Sequence, residues 1–137
     1  MMIIRNQLGY VAAAYSEDDG DTWSEAESLG VTAPEAPATI RRIPSTGDLL
    51  LVWNNTYTEG AGHGGRRTPL TAAISRDEGQ TWTHVKNLES DPNHTYSYTS
   101  ILFFRGRAHL TYWISGPEKG QWSSQFRSVP VSWFYAE

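Results

Sequence analysis

Three aspartates crowd one short polar segment, residues 16–23, and their carboxylates could do chemistry together. They are Asp18, Asp19 and Asp21, and carboxylate oxygens are the ligands that calcium prefers, so a cation site is one interpretation. The other is structural, because an aspartate in a tight turn accepts hydrogen bonds from nearby backbone N–H groups, and Gly20 supplies the positive φ that such a turn needs. The Thr-Trp ending of the segment favours the turn.

The segment has a second copy. Residues 75–82 match residues 16–23 at five of eight positions, fifty-nine residues further along the chain, and an apolar run precedes both copies. The second copy has fewer acidic residues, which favours a structural role for both. We predict two hairpin turns whose tryptophans pack on neighbouring strands. The matched positions are Ser16, Asp18, Gly20, Thr22 and Trp23 in the first copy and Ser75, Asp77, Gly79, Thr81 and Trp82 in the second.

Other metal or phosphate chemistry has little support in the sequence. The four histidines are isolated, so metal-ligand spacing is missing, and we predict neither a metal nor a cofactor. The glycine-rich loop at residues 56–65 is too irregular for a phosphate-binding fingerprint.

Composition excludes several classes of protein. The 137 residues carry 11 Lys and Arg against 15 Asp and Glu, a net charge of -4, which argues against nucleic-acid binding. There is no cysteine, which excludes a disulfide scaffold and a thiolate metal site. No apolar run approaches the roughly 18 residues that cross a bilayer, and the first residues lack the apolar core of a signal peptide. We expect a protein without membrane partners, and its localisation stays open.

The elements that position these residues are short. Apolar runs of strand length alternate with Gly, Pro, Asn, Asp and Ser, and seven spread prolines leave little room for long helices. We predict an all-β chain of eleven strands, among them residues 22–28, with a fourth strand of the last sheet at residues 131–135. An acidic helix at residues 24–29 is the competing interpretation of the segment that we predict as the strand at residues 22–28.

The repeated motif resembles the Asp box of sialidases and related BNR-repeat β-propellers, in which it joins the third and fourth strands of a four-stranded blade. The resemblance covers nearly the whole chain and implies the C-terminal part of a six-bladed propeller. It implies about two and a half antiparallel blades: a partial blade at residues 1–30, a full blade at 31–90 and a last blade at 91–137. Because further blades would precede these, we expect about half of a propeller.

Sialidases hold the carboxylate of sialic acid with three arginines, and a guanidinium suits that bidentate task. By resemblance, Arg5 matches the second arginine and Arg67 the third, with Arg66 as the alternative for the third. Solvated surface arginines are the plain alternative. Asn54, at a strand end, and Glu35, at the start of an inner strand, are further candidate contacts to the ligand.

The resemblance also assigns a nucleophile. Sialidases use a tyrosine, and Tyr98 occupies the matching segment; Tyr96, two residues away, is expected to face the same side of the strand. A phenol needs activation because its ordinary pKa is about 10. Two aromatic side chains packed on a sheet are the alternative. No residue of this chain matches the family's first arginine, its acid/base aspartate or its activating glutamate.

The function implied is therefore a piece of an exo-α-sialidase-like, retaining glycoside hydrolase, inactive alone, whose ligand is a sialic-acid-like or other acidic glycan. The alternatives are a non-catalytic carbohydrate-binding or protein-interaction piece of a propeller, or a hydrolase of another sugar on the same fold. Because half a propeller exposes sheet edges and apolar faces, we expect a homodimer or another association that covers them.

Overall fold

A computed structural model describes residues 1–116 and 120–136. This part of the chain contains β-strands and two short 3₁₀ helices but no α-helix, which confirms the predicted all-β class. Residues 117–119 and 137, within the predicted last blade, lie outside the described residues. The strands are β1 Met2–Ile4, β2 Tyr10–Ala14, β3 Glu27–Thr32, β4 Thr39–Arg42, β5 Leu49–Asn54, β6 Leu70–Ser75, β7 Thr83–Glu89, β8 Thr95–Phe104, β9 Arg107–Ser115 and β10 Trp122–Pro130, and the 3₁₀ helices are Gly62–Gly64 and Val131–Phe134.

The strands form three antiparallel sheets in chain order. The first sheet is β1-β2-β3, the second β4-β5-β6-β7 and the third β8-β9-β10. Each strand pairs with its sequence neighbour within its sheet, so every sheet is a simple up-and-down meander. The described residues include no helix of the length and apolarity needed to span a membrane.

The second sheet lies between the other two, and its central strand β5 is buried at every position. Leu50 and Val52 belong to the apolar core shared with the third sheet. Leu51 and Trp53 belong to the core shared with the first sheet. Alternate side chains of a strand point to opposite faces, so a strand covered on both sides needs a continuous apolar run, as residues 49–53 provide.

The predicted strand at residues 131–135 is wrong. β10 ends at Pro130, which pairs with Arg107, the first residue of β9, so β9 offers no partner beyond it. The chain turns into the 3₁₀ helix Val131–Phe134 instead, and the Val131 N–H donates to the Gly106 carbonyl at 2.9 Å. Phe134 is 1% exposed, so this apolar segment fills the core and adds no strand to the sheet. The described residues therefore contain ten strands, not the predicted eleven.

The predicted strand at residues 22–28 is displaced. The structure places β3 at Glu27–Thr32, which also excludes the competing helix at residues 24–29. Thr22 belongs to the preceding turn because its N–H and hydroxyl both bond to Asp18. The turn therefore takes the first residues of the predicted strand, and pairing with β2 continues to Thr32, opposite Tyr10.

Candidate functional site

The first repeated motif is a closed hydrogen-bonded turn between β2 and β3. The Ser16 hydroxyl donates to Asp18 at 2.8 Å and accepts from the Gly20 N–H at 2.8 Å. The backbone N–H and the hydroxyl of Thr22 donate to the two oxygens of Asp18 at 2.9 and 2.6 Å. Gly20 has φ +102°, and Asp19 before it also has a positive φ. Both oxygens of Asp18 are thus engaged inside the turn.

The second motif, between β6 and β7, repeats this network. The Ser75 hydroxyl donates to Asp77 at 2.7 Å and accepts from the Gly79 N–H at 2.8 Å. Thr81 donates to both oxygens of Asp77, at 2.9 Å from its N–H and 2.5 Å from its hydroxyl. In each motif, hydrogen bonding from the threonine is the main cause that lowers the aspartate pKa from 3.8 to about 2. Within the described residues there is no group of three or more acidic or histidine side chains that could hold a metal.

The two motif tryptophans differ in their contacts. The Trp23 indole N–H donates to Gly20 of its own turn at 2.9 Å, and this side chain is 42% exposed. The Trp82 indole N–H reaches the Leu29 carbonyl of β3 at 3.2 Å, and its ring packs against the core between the first and second sheets. Of the two motif tryptophans, Trp82 therefore connects two sheets, whereas Trp23 bonds within its own turn.

Arg67 lies just before β6, and the surrounding backbone holds it in place. Its carbonyl accepts from the Tyr96 N–H at 3.0 Å and from the Asn54 side-chain amide at 2.8 Å. Its guanidinium Nη2 donates to the Glu35 carbonyl at 3.3 Å, and the residue is only 9% exposed. These contacts fix an arginine that would otherwise sample many conformations.

Tyr98 occupies a β-bulge in β8. The pairing of β8 with β9 shifts between Ser97 and Ser100, and Tyr98 adopts φ +57°, a conformation that non-glycine residues rarely take. The Thr39 hydroxyl of β4 donates to the Thr99 carbonyl at 2.6 Å and supports the bulge. Tyr98 is 50% exposed. Unusual backbone at an exposed polar side chain is common at functional sites, where it aims the side chain.

The expectation that Tyr96 and Tyr98 face the same side of β8 is wrong. Tyr96 is 2% exposed and packs edge-on against Tyr112, at 6.2 Å between ring centroids. Tyr98 instead contacts Trp113 at 5.7 Å, and Tyr112 and Trp113 point to opposite faces of β9. The bulge between Ser97 and Ser100 breaks the alternation of the strand, so Tyr98 turns away from the core.

The structure brings Arg5, Arg67 and Tyr98 together. The guanidinium carbon of Arg67 lies 5.8 Å from the centroid of the Tyr98 ring. The pKa of the Tyr98 phenol is lowered, chiefly by hydrogen bonding from the Arg67 guanidinium and then by its charge, with a further contribution from Arg5. Arg5 is exposed and follows β1 directly. Guanidinium groups from the segments next to β1 and β6 thus lie near a phenol of β8.

Glu35 is a further neighbour of Arg67. Its carboxylate accepts from the Gln7 side chain at 2.8 Å and lies 3.3 Å from His63 Nδ1. Its side chain is 17% exposed, and its backbone carbonyl is the one that Arg67 contacts. Glu35 therefore joins the loop after β1 to the glycine-rich loop, beside the arginine.

The two remaining candidates lie elsewhere. Asn54 is 1% exposed and lies beneath the site, where its amide bonds to backbone carbonyls. Arg66 is exposed, whereas its neighbour Arg67 is buried against Glu35. The two arginines thus differ sharply in their surroundings.

Three side chains near the site were not predicted: Trp113, Gln7 and His63. In β9, Tyr112 is buried and Trp113 is 51% exposed. Because neighbouring side chains of a strand point to opposite faces, the strand pattern alone could have predicted Trp113 on the outer face. Gln7 lies in the loop after β1 and His63 in the short 3₁₀ helix Gly62–Gly64, and no pattern in the sequence indicates that their side chains meet at Glu35.

The site is an open surface. A cavity of about 560 Å³ does exist, but it lies between the two turn motifs and is lined by Tyr15, Glu78 and Gln80 among others. A smaller cavity of about 120 Å³ is lined by Arg5, Ala33 and Pro34 among others, whereas Tyr98 is 50% exposed.

Comparison with known protein families identifies a match that covers most of the chain. The model of the BNR repeat-like domain family matches residues 1–110, a region that contains both turn motifs and the residues gathered around Arg67. No curated protein matches the chain.

Proposed function

The chain belongs to the BNR repeat-like domain family, and from that premise we propose that it is part of a sialidase-like β-propeller that binds an acidic sugar. Arg5 and Arg67 hold the sugar's carboxylate beside the Tyr98 phenol. The observation that carries the proposal is the convergence of these three side chains: Arg5 follows a strand of the first sheet, Arg67 precedes one of the second, and Tyr98 lies in one of the third.

The sheet architecture supports the propeller. Each sheet is an antiparallel meander, and the second has four strands with a turn motif joining its third and fourth. The first sheet carries its motif between β2 and β3, which correspond to β6 and β7. Sheets of this kind arranged around an axis gather their inner strands at a common centre.

The chemistry of the clamp favours a carboxylate ligand. Both guanidinium groups act on the same phenol, and each can donate two parallel hydrogen bonds to a carboxylate. Arg67 is already ordered by Glu35 and by its backbone contacts, so its binding costs little further side-chain entropy.

Tyr98 is the proposed nucleophile of the complete site. Its phenol oxygen would bond to the anomeric carbon as the glycosidic C–O bond breaks, which gives a retaining reaction in two steps. The leaving oxygen needs a proton from an acid, and the phenol proton needs a base. The family resemblance assigns both groups to residues without a counterpart in this chain, so the chain alone binds the sugar and does not turn it over.

Saturation-transfer NMR can test the carboxylate requirement. The chain should bind free sialic acid and should not bind its methyl ester, in which the carboxylate is neutral. Equal binding of the two would reject the clamp. Glucuronic acid, a different acidic sugar, tests whether selectivity goes beyond the carboxylate. A fluorogenic sialoside should show negligible hydrolysis, and hydrolysis that persists in Tyr98→Phe would reject the nucleophile.

A second candidate function, a protein-interaction module, has its own supporting observation. The outer face of the third sheet exposes five large apolar side chains, and a patch larger than a few hundred Å² marks interaction sites. We propose that a second copy of the chain covers this face. The five residues, here called the aromatic face, are Leu102, Phe104, Trp113, Trp122 and Phe126.

A further inference from the structure

Asn54 is the polar side chain on which the segments of the candidate site converge. It ends β5 and is 1% exposed. Its Nδ2 atom lies 2.8 Å from the Arg67 carbonyl, 3.0 Å from the Tyr96 carbonyl and 3.2 Å from the Pro69 carbonyl. One side-chain amide therefore contacts the approach to β6 and the beginning of β8.

The same two segments are also joined by the Thr68 hydroxyl, which donates to the His94 carbonyl. The Tyr96 N–H also donates to the Arg67 carbonyl at 3.0 Å, so the two segments share a small network centred on Asn54. Tyr98 follows Tyr96 by two residues and begins the bulge. A shift of either carbonyl would therefore move the Arg67 guanidinium relative to the Tyr98 phenol.

Only the donor half of the Asn54 amide is used. Its Oδ1 atom is buried and has no hydrogen-bond partner among the described residues. A buried acceptor without a partner is unfavourable, so its presence indicates that the two N–H donors are what this position requires. A serine hydroxyl would offer one donor, and an alanine none.

We propose that Asn54 is a positioning residue that sets the distance between the Arg67 guanidinium and the Tyr98 phenol. It acts through the backbone carbonyls of Arg67 and Tyr96 and does not touch the sugar. This inference deepens the proposed function, on which its relevance to sugar binding rests. The contact that it controls exists without any ligand and can be measured without one.

The test is an ultraviolet difference titration of the Tyr98 phenol, with Tyr98→Phe variants subtracted, in the wild-type chain and in Asn54→Ala. The pKa of Tyr98 should rise in Asn54→Ala because Arg67 no longer lies close to the phenol. Affinity for sialic acid should fall about tenfold, the effect of one misplaced charged hydrogen bond. Asn54→Ser keeps one donor and should give an intermediate pKa.

Thr71→Val is the matched control for a general loss of stability. Thr71 is fully buried in β6, and its hydroxyl donates to Asn87 at 2.9 Å within the second sheet. Thr71→Val should lower the melting temperature and leave the pKa of Tyr98 unchanged. The proposal is overturned if folded Asn54→Ala keeps the wild-type pKa, or, should that variant not fold, if folded Asn54→Ser does. If the wild-type chain binds no sialic acid, the proposed function fails, but the titration still decides the role of Asn54.

Discussion

The guanidinium carbon of Arg67 lies 5.8 Å from the centroid of the Tyr98 ring, although Arg67 precedes a strand of the second sheet and Tyr98 belongs to the third. Two features create this relationship. Asn54 and Tyr96 hold the backbone of Arg67, and a bulge turns Tyr98 out of the core. A largely buried cation and a half-exposed phenol are thus held close together.

The first prediction concerns the phenol. Arg67→Ala should raise the pKa of Tyr98 toward its ordinary value of about 10, because the hydrogen bonding and positive charge that favour the phenolate are removed. Arg5→Ala should cause a smaller rise because Arg5 contributes less. Ultraviolet difference titration measures both shifts. Equal titration curves for the wild type and Arg67→Ala would show that the two groups do not interact.

Stability at low pH should depend on the two motif aspartates. In the folded chain Asp18 and Asp77 have pKa values of about 2, below their ordinary 3.8. A lowered pKa contributes stability that is complete above pH 4 and disappears as the pH falls toward 2. The urea unfolding midpoint should therefore decrease across this window, and the decrease should be smaller in the double variant Asp18→Asn, Asp77→Asn. An equal decrease of the urea midpoint in the wild type and in the double variant would contradict the hydrogen-bond networks of the two turns.

The motif tryptophans should differ in their contributions to stability. Trp82→Ala should cost about 2 kcal/mol because the ring packs on a core and its N–H connects two sheets. Trp23→Ala, at an exposed ring bonded to its own turn, should cost about 1 kcal/mol or less. Urea denaturation gives both values. The reverse order would mean that the second motif does not anchor the first sheet.

The aromatic face should make the chain associate. Light scattering at micromolar concentration should give a dimer mass or a larger one. Phe126→Asp should shift that mass toward the monomer because a charge cannot be buried in an apolar interface. Val85→Asp, which places the same charge on another exposed apolar side chain, is the control and should leave the mass unchanged. A monomeric wild type would reject association.

Local chemistry made part of this structure predictable. The repeated Ser-x-Asp-x-Gly-x-Thr-Trp pattern indicates a turn because the hydrogen bonds among its serine, aspartate, glycine and threonine join residues at most four positions apart. The all-β class follows from short apolar runs bounded by turn residues. Both predictions depend only on residues that are close together in the sequence.

Other features depend on partners that are distant in the sequence. Residues 131–135 have the composition of a strand, but β9 begins at Arg107, opposite Pro130, and offers no partner beyond it, so Phe134 packs in the core instead. The opposite orientations of Tyr96 and Tyr98 result from how β8 pairs with β9, which the period of β8 alone does not reveal. The burial of Asn54 likewise depends on the approach to β6 and on β8, both of which come later in the chain.

One comparison tests the central claim most directly: calorimetric titration of sialic acid into the wild type, Arg67→Ala and Arg66→Ala. The two variants remove the same charge at adjacent positions, but only Arg67 is buried beside Tyr98. Arg67→Ala should weaken binding at least about tenfold, and Arg66→Ala should bind within about twofold of the wild type. Equal losses in both variants, or binding that Arg67→Ala leaves intact, would contradict an acidic-sugar site at Arg67 and Tyr98.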